Sequence, residues 1–242
     1  MARRRFFVSE VLNGRAVIEG EDARHLTRVL RVEAGQRFEL SDGAGVYLAE
    51  VAVTRKEFVE FQIIEGVAVA PAMVRVSLLM SLIKFDHFEL VIEKATELGV
   101  AEIVPVIAAR TEAGLEKAVP KRMERWRRIA LEASQQSRRD RLPKLCPAVQ
   151  FEKALECDSR WRYWLDEEAG GEPMLRALPG ARNVDADSIA LLVGPEGGWT
   201  ANERDAAAAN TAWTRVSMGS QILRAETAAI ASLAVVTAAW RV

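Results

Sequence analysis

SIALLV (residues 188–193) runs directly into GPEGGW (194–199) and then TANE (200–203), and this order of an apolar run, a glycine-rich turn and a helix start decides the fold. Six apolar or small residues bounded by glycine read as a buried strand. Thr200 with Glu203 three positions later is a capping box, so a helix begins there. Between them Gly194, Gly197 and Gly198 let backbone amides come close to a ligand, and Pro195 stiffens the turn. Open α/β sheets favour ligands at the carboxyl ends of their strands. A tight strand-to-helix turn also needs glycine when nothing binds, so this turn alone does not distinguish a site from a bend.

Downstream, TRVSM (214–218) leads into GSQILRAETA (219–228), a second strand, loop and helix start. Ile222 and Leu223 stand beside the charged Arg224 and Glu226, a mixture suited to a ligand with an apolar aromatic part and a charged part. Neither loop carries the phosphate-cradling patterns G-x-x-x-x-G-K-[ST] or G-x-G-x-x-G, which favours a nucleoside without phosphates.

Upstream, residues after Pro71 alternate strand and helix, the signature of a largely parallel α/β sheet. VRVSLLMSLI (74–83), EIVPVIAA (102–109) and WRYWLD (161–166) read as strands. DHFELVIEKATELG (86–99) reads as a helix with Phe85, Phe88, Ile92 and Ala95 on one stripe, stopped at Gly99. Pro120 opens a helix with Met123, Trp126, Ala130 and Ala133 on its apolar face. The segment 173–187 reads as loop, and the last helix starts at about Ala225.

Residues 6–69 have a different rhythm. FFVSEVL, RAVIEG, RFELSDGAGVYLAEVAVT and KEFVEFQII are short strands separated by turns, with Asn13-Gly14 and Asp42-Gly43 as hairpin signals. EDARHLTRVLR (21–31) breaks the pattern with Leu26, Val29 and Leu30 at helical spacing. The organisation expected is a small β-barrel over residues 1–70 and an α/β domain over 71–242.

Half of the 242 residues are hydrophobic, and 33 Lys plus Arg balance 34 Asp plus Glu, which excludes a globally basic nucleic-acid coat protein. Any polyanion site is local. Residues 1–31 hold seven arginines against four acids, and residues 121–144 hold nine Lys plus Arg against three acids. Cys146, Cys157, His25 and His87 are too few for a disulfide framework or the usual metal cage, so no metal is expected. Arg3 to Arg5 are followed too soon by polar residues for a signal peptide, and the apolar stretch Ala225 to Trp240 contains Glu226 and is short of the ~20 residues a bilayer needs. A soluble, cytoplasmic protein without a membrane span is expected.

LLVGPEGGWTANE together with MGSQILRAETAAIASLAVV resembles the C-terminal signature of the RsmE family, bacterial methyltransferases of the trefoil-knotted SPOUT superfamily that modify N3 of a uridine in 16S ribosomal RNA. The resemblance extends to Lys84, IEKATELGV, EASQQSRRDRLPKL, HLTRVLRVEAGQ and SDGAG, in order along nearly the whole chain. Phe85 stands where the family commonly has glycine, and TEAGLE after Arg110 replaces a small apolar stretch.

The resemblance implies a C-terminal knotted domain, an N-terminal PUA-like barrel that grips RNA, and a homodimer acting on small-subunit RNA, within the 30S subunit. S-adenosylmethionine is expected between Leu165, Leu192, Val193, Gly194, Gly197 and Gly198 on one side and Met218, Gly219, Ile222, Leu223 and Thr227 on the other. Expected RNA contacts are Arg3, Arg4, Arg5, Arg24, His25, Arg28, Arg31, Lys84, Arg138, Arg139 and Arg141, with a solvated helix face as the rival reading for any single arginine. Arg224 is the expected stabiliser of charge on the uracil oxygens, and Glu226 or Glu196 takes the N3 proton or orients the base. The rival roles are a helix cap for Glu226 and a loop brace for Glu196. His87 reads as a helix-start residue and His25 as a surface or RNA-facing one. A non-catalytic RNA-binding knot protein, a SPOUT enzyme acting on a ribose hydroxyl or a transfer RNA base, and an unrelated nucleotide-binding enzyme are the alternatives.

Overall fold

The computed structural model describes residues 4–68, 73–168 and 170–241. Arg3 and the boundary near residue 70 lie outside them. The chain divides into two compact units, one of Met1–Pro71 with Ser134–Leu142, the other of Ala72–Ala133 with Pro143–Val242. The first unit thus takes in a segment that the sequence pattern groups with the later helix.

The first unit is built on β1 (Arg5–Phe7), β2 (Arg15–Glu19), α1 (Gly20–Arg28), β3 (Arg37–Ser41), β4 (Val46–Arg55) and β5 (Phe58–Gly66). Its strands pair in the order β1-β3-β4-β5-β2, antiparallel except for β1 with β3. Two register shifts between β4 and β5 curl the sheet, as β-bulges do. Both hairpin signals act as turns. Asn13 and Gly14 both adopt positive φ, and the Asp42 carboxylate caps its turn by accepting from the amides of Ala44 and Gly45 at 2.9 and 2.8 Å. The Gly45 bond first, against a smaller opposing effect of burial, holds the Asp42 carboxyl below its usual range. Phe6, Leu26, Leu40 and Phe61 fill the interior, with α1 closing over β2 and β5.

The second unit carries β6 (Arg75–Ser81), α2 (Phe85–Glu97), β7 (Glu102–Ile107), α3 (Leu115–Gln136), β8 (Lys144–Leu145), β9 (Val149–Gln150), α4 (Phe151–Leu155), β10 (Trp161–Leu165), β11 (Glu172–Pro173), α5 (Met174–Ala177), β12 (Ser188–Val193), α6 (Ala201–Ala209), β13 (Trp213–Ser217) and α7 (Ala225–Ala239). Its sheet runs β11-β13-β10-β12-β6-β7-β8, with β9 also on β7, and every pairing is parallel. Side chains alternate between two apolar layers, as strand geometry requires. Leu78, Met80, Tyr163, Leu165, Ile189, Leu191 and Val193 pack with α2, α3 and α7, whereas Leu79, Trp164, Ala190 and Leu192 pack with α4 and α6.

Two local expectations differ from the structure. The helix assigned to start at Pro120 starts at Leu115, so Pro120 lies inside α3. Proline withholds a single N–H there, close enough to the helix start that the preceding turn forms without it. The segment around residue 180 opens with α5, held by buried Met174. No helix among the described residues is long and apolar enough to cross a membrane.

Candidate active site

Three neighbouring strands, β13, β10 and β12, run parallel and therefore release their following loops at one end of the sheet. The end of β10, the Gly194–Gly198 turn and the loop from Ser217 to Arg224 converge there around a cavity of about 460 Å³, which the N-terminal turn of α7 and His87 of α2 complete. That volume lies within the ~300–1,000 Å³ typical of small-molecule sites.

The glycine turn is fixed from several directions. Trp199, 1% exposed, donates its indole N–H to the Leu165 carbonyl at 2.8 Å and lies against Gly194, where a Cβ would sit 3.0 Å from Cε2. Gly198 has φ +67°, and a side chain there would overlap the Glu167 carboxylate. Beyond the turn, Thr200 and Glu203 form the reciprocal capping box. Buried Glu203 has a second use, because its Oε1 accepts from the Ala109 amide at 2.8 Å and ties α6 to the segment after β7. From that segment Arg110 donates to the Gly197 carbonyl at 2.7 Å, bracing the turn from outside.

Acidic residues follow β10. Asp166, fully buried at its side chain, pairs with Arg204 at 3.1 Å and Arg215 at 2.6 Å, and Arg204 also reaches Glu167 at 2.7 Å. Burial opposes the Arg204 charge, but Asp166 and then Glu167 and Glu168 outweigh it and raise its pKa.

At the far wall the N-termini of α2 and α7 meet. His87 Nδ1 is 3.3 Å from Glu196 Oε1 and 3.8 Å from Glu226 Oε1. Glu226 is buried, and its Oε2 has no hydrogen-bond partner among the described residues. Arg224, exposed at the N-cap of α7, faces the same cavity.

The cavity thus brings together Arg224, Glu226 and Glu196 with Leu165, Val193, Gly194, Gly197, Gly198, Met218, Gly219, Ile222 and Leu223. Two expected cofactor contacts fall outside it. Leu192 is adjacent to Val193 in a strand and so points into the opposite layer, packed with α6, and Thr227 lies on the exposed side of α7. His87, Asp166 and Glu167, which the sequence reading did not place here, line the cavity. No group of side chains among the described residues has the makings of a metal site.

The expected RNA-facing cations separate into two sets. Arg5 is 8% exposed and donates to Glu39 at 2.8 and 3.1 Å and to the Arg138 carbonyl at 2.6 Å, and Arg138 pairs with the same Glu39. Their guanidinium groups hold the first unit together, which overturns Arg5 as an RNA contact and gives Arg138 a structural task. Burial pushes Arg139 below its usual range, and it donates to the Arg141 carbonyl at 3.0 Å. Arg4, Arg24, Arg28, Arg31 and Arg141 are exposed in the first unit, Arg24 with Glu57 beside it at 3.1 Å, and His25 is half-buried on α1. Lys84 is exposed at the N-cap of α2.

A family model described as an RNA methyltransferase domain matches residues 70–237, and another described as an RNA methyltransferase PUA domain matches residues 18–64. Fold and cavity are those of an RNA methyltransferase with an N-terminal PUA domain. The chain is 33% identical over 235 residues to the ribosomal RNA small subunit methyltransferase E of Synechocystis sp., covering 95% of this chain and 75% of that protein. It is 32% identical over 238 residues to the protein of the same name from Mycobacterium bovis, covering 93% and 88%. The crystal structure of the Neisseria gonorrhoeae ribosomal RNA small subunit methyltransferase E bound to S-adenosylmethionine superposes with a TM-score of 0.84 at 29% identity, covering 99% of this chain and 98% of that one. The chain belongs to the ribosomal RNA small subunit methyltransferase E family.

Proposed function

We propose that this enzyme methylates N3 of a specific uridine in 16S ribosomal RNA with S-adenosylmethionine as the methyl donor. The observation that carries the reading is the convergence of three adjacent strand ends on one cavity that joins an apolar wall, Leu165, Val193, Met218 and Leu223, to the charged Arg224, Glu196 and Glu226. The residues fit a nucleoside carrying charged groups: glycine backbone at close approach, apolar side chains for a base, and a buried carboxylate oxygen without a partner.

S-adenosylmethionine supplies, when bound, a methyl group activated by a sulfonium. The Gly194–Gly198 turn and the loop from Met218 to Leu223 hold it, and Trp199 keeps the turn at its distance from β10. Arg224 neutralises charge developing on the uracil oxygens as N3 gives up its proton. Glu226 takes that proton, and Glu196 stands nearer the mouth of the cavity. Of these groups Glu226 is buried, and the low surrounding polarity strengthens its interactions.

Arg4, Arg24, Arg28, Arg31 and Arg141 supply phosphate contacts, which position RNA and carry little sequence information. The target base is flipped out to reach the cavity. The last helix packs on α2 and β12, and the trefoil knot that the resemblance implies belongs to this reading. Thr227, Ile230, Ala231, Ala234 and Ala238 lie along one partly or fully exposed stripe of an otherwise apolar α7 and form the homodimer interface. The substrate is the 30S subunit in the cytoplasm. Nucleoside mass spectrometry of ribosomal RNA from a strain lacking the gene tests the reading. Loss of one N3-methyluridine supports it, and an unchanged modification pattern refutes it.

A further inference from the structure

Glu226, His87 and Glu196 form a row across the cavity wall. Their side chains become more accessible along it, at 11%, 31% and 40% exposure. The buried end carries the unpaired Oε2, an acceptor shielded from water and without a donor, which costs free energy unless something supplies one. The solvent end lies on the Gly194–Gly198 turn. The imidazole between them belongs to a different helix from either carboxylate, so no local sequence preference explains the alignment.

We propose that His87 is a positioning residue for methyl transfer: it holds Glu226 with Oε2 toward the uracil imide and conducts the captured proton outward to Glu196. This deepens the uridine reading and rests on it. The N3–H bond breaks toward Glu226 Oε2, and the freed N3 electron pair forms the N–CH₃ bond. The S–CH₃ bond breaks with its pair remaining on sulfur, which leaves a neutral thioether. Glu226 then returns to the carboxylate by giving its proton to Nδ1 of the imidazole once that same nitrogen has passed its own proton to Glu196 Oε1, 3.3 Å away, and on to water. Imidazole is the side chain suited to this because it accepts and releases protons near neutral pH.

The imidazole has charged neighbours on several elements. Asp86 Oδ2 on its own helix lies 3.7 Å from Nε2, Glu196 comes from the β12 turn, and Glu226 comes from α7. Arg224 at the α7 N-cap lines the same cavity and Lys84 caps α2. Three acids on three elements surround one imidazole.

Because the chain has only two histidines, His87 is readable directly by NMR in the ligand-free enzyme. Glu196→Gln and Glu226→Gln should each move the His87 imidazole resonances and their titration while leaving His25 unchanged. His87→Gln should bind S-adenosylmethionine within about twofold of wild type by calorimetry, yet lose roughly tenfold or more in single-turnover methylation near neutral pH, together with the neutral limb of the pH profile. Free imidazole should restore part of the rate to His87→Ala. Wild-type rate and pH profile in His87→Gln, or imidazole resonances indifferent to both glutamine variants, overturn the proposal. A His87→Gln defect confined to S-adenosylmethionine binding overturns it as well, by assigning the row to the cofactor. A wild-type enzyme that methylates no uridine strikes the underlying reading instead, and the NMR coupling then still shows whether the row exists.

Discussion

The indole N–H of Trp199 donates to the carbonyl oxygen of Leu165 at 2.8 Å, joining the turn after β12 to the end of β10. This bond sets the distance between two loops of the cavity, because Trp199 is also the surface on which Gly194 rests. Trp199→Phe keeps most of the packing and removes the donor, leaving a buried carbonyl unpaired at a cost of about 1–3 kcal/mol. Chemical denaturation should show that loss, and calorimetry should show weaker S-adenosylmethionine binding.

Gly198→Ala tests the turn itself. A residue with a side chain at φ +67° is strained by about 1–3 kcal/mol, and its Cβ also displaces Glu167. S-adenosylmethionine affinity should fall by roughly tenfold or more, with circular dichroism unchanged.

Arg224→Ala separates chemistry from binding. Arg224 faces the cavity from the exposed N-cap of α7 and carries no part of the core. Methylation should drop by about 10²-fold, the range for removing a charge-stabilising donor, while S-adenosylmethionine binding stays close to wild type. Near-wild-type turnover would remove Arg224 from the mechanism.

Asp187 predicts an acid-sensitive element. Its carboxylate accepts from the indoles of Trp240 at 2.8 Å and Trp161 at 3.1 Å and from the Asn183 amide at 2.7 Å, with Arg160 at 3.2 Å, fastening the end of α7 beside the start of β12. Burial alone raises its pKa, but these bonds and Arg160 outweigh burial and hold it below the usual range. A carboxyl lowered by folding stabilises the fold above its unfolded pKa of about 3.9, and the contribution disappears as pH falls through the lower folded value. Asp187→Asn should therefore cost about 1–3 kcal/mol at neutral pH by thermal or urea denaturation, and its difference from wild type should shrink below about pH 4.

The strand-turn-helix junctions were legible because their chemistry is local. Thr200 with Glu203, Asp42-Gly43 and Asn13-Gly14 act through neighbours within a few residues, and each does in the structure what its spacing implies. Strand alternation was legible too, yet its consequence for Leu192 was missed, since adjacent strand residues cannot face one cavity together. Arg110, Asp166, His87 and the bond of Glu203 to Ala109 were out of reach for a different reason. Their partners lie roughly 40 to 140 residues away, as with His87 and Glu226 or Asp166 and Arg204, and nothing in the local sequence marks either end. Arg5 failed in the same manner: a charged triplet at a chain start looks solvated until Glu39 is seen to pair with it.

The central claim is methyl transfer from S-adenosylmethionine to uridine N3 of small-subunit RNA. Its most direct test incubates the purified enzyme and isotopically labelled S-adenosylmethionine with 30S subunits from a strain lacking the modification, beside naked 16S RNA and bulk transfer RNA, followed by nucleoside mass spectrometry. The account predicts label in a single N3-methyluridine, with the 30S subunit the preferred substrate. Label in a ribose methyl group, in transfer RNA, or in nothing at all would contradict it.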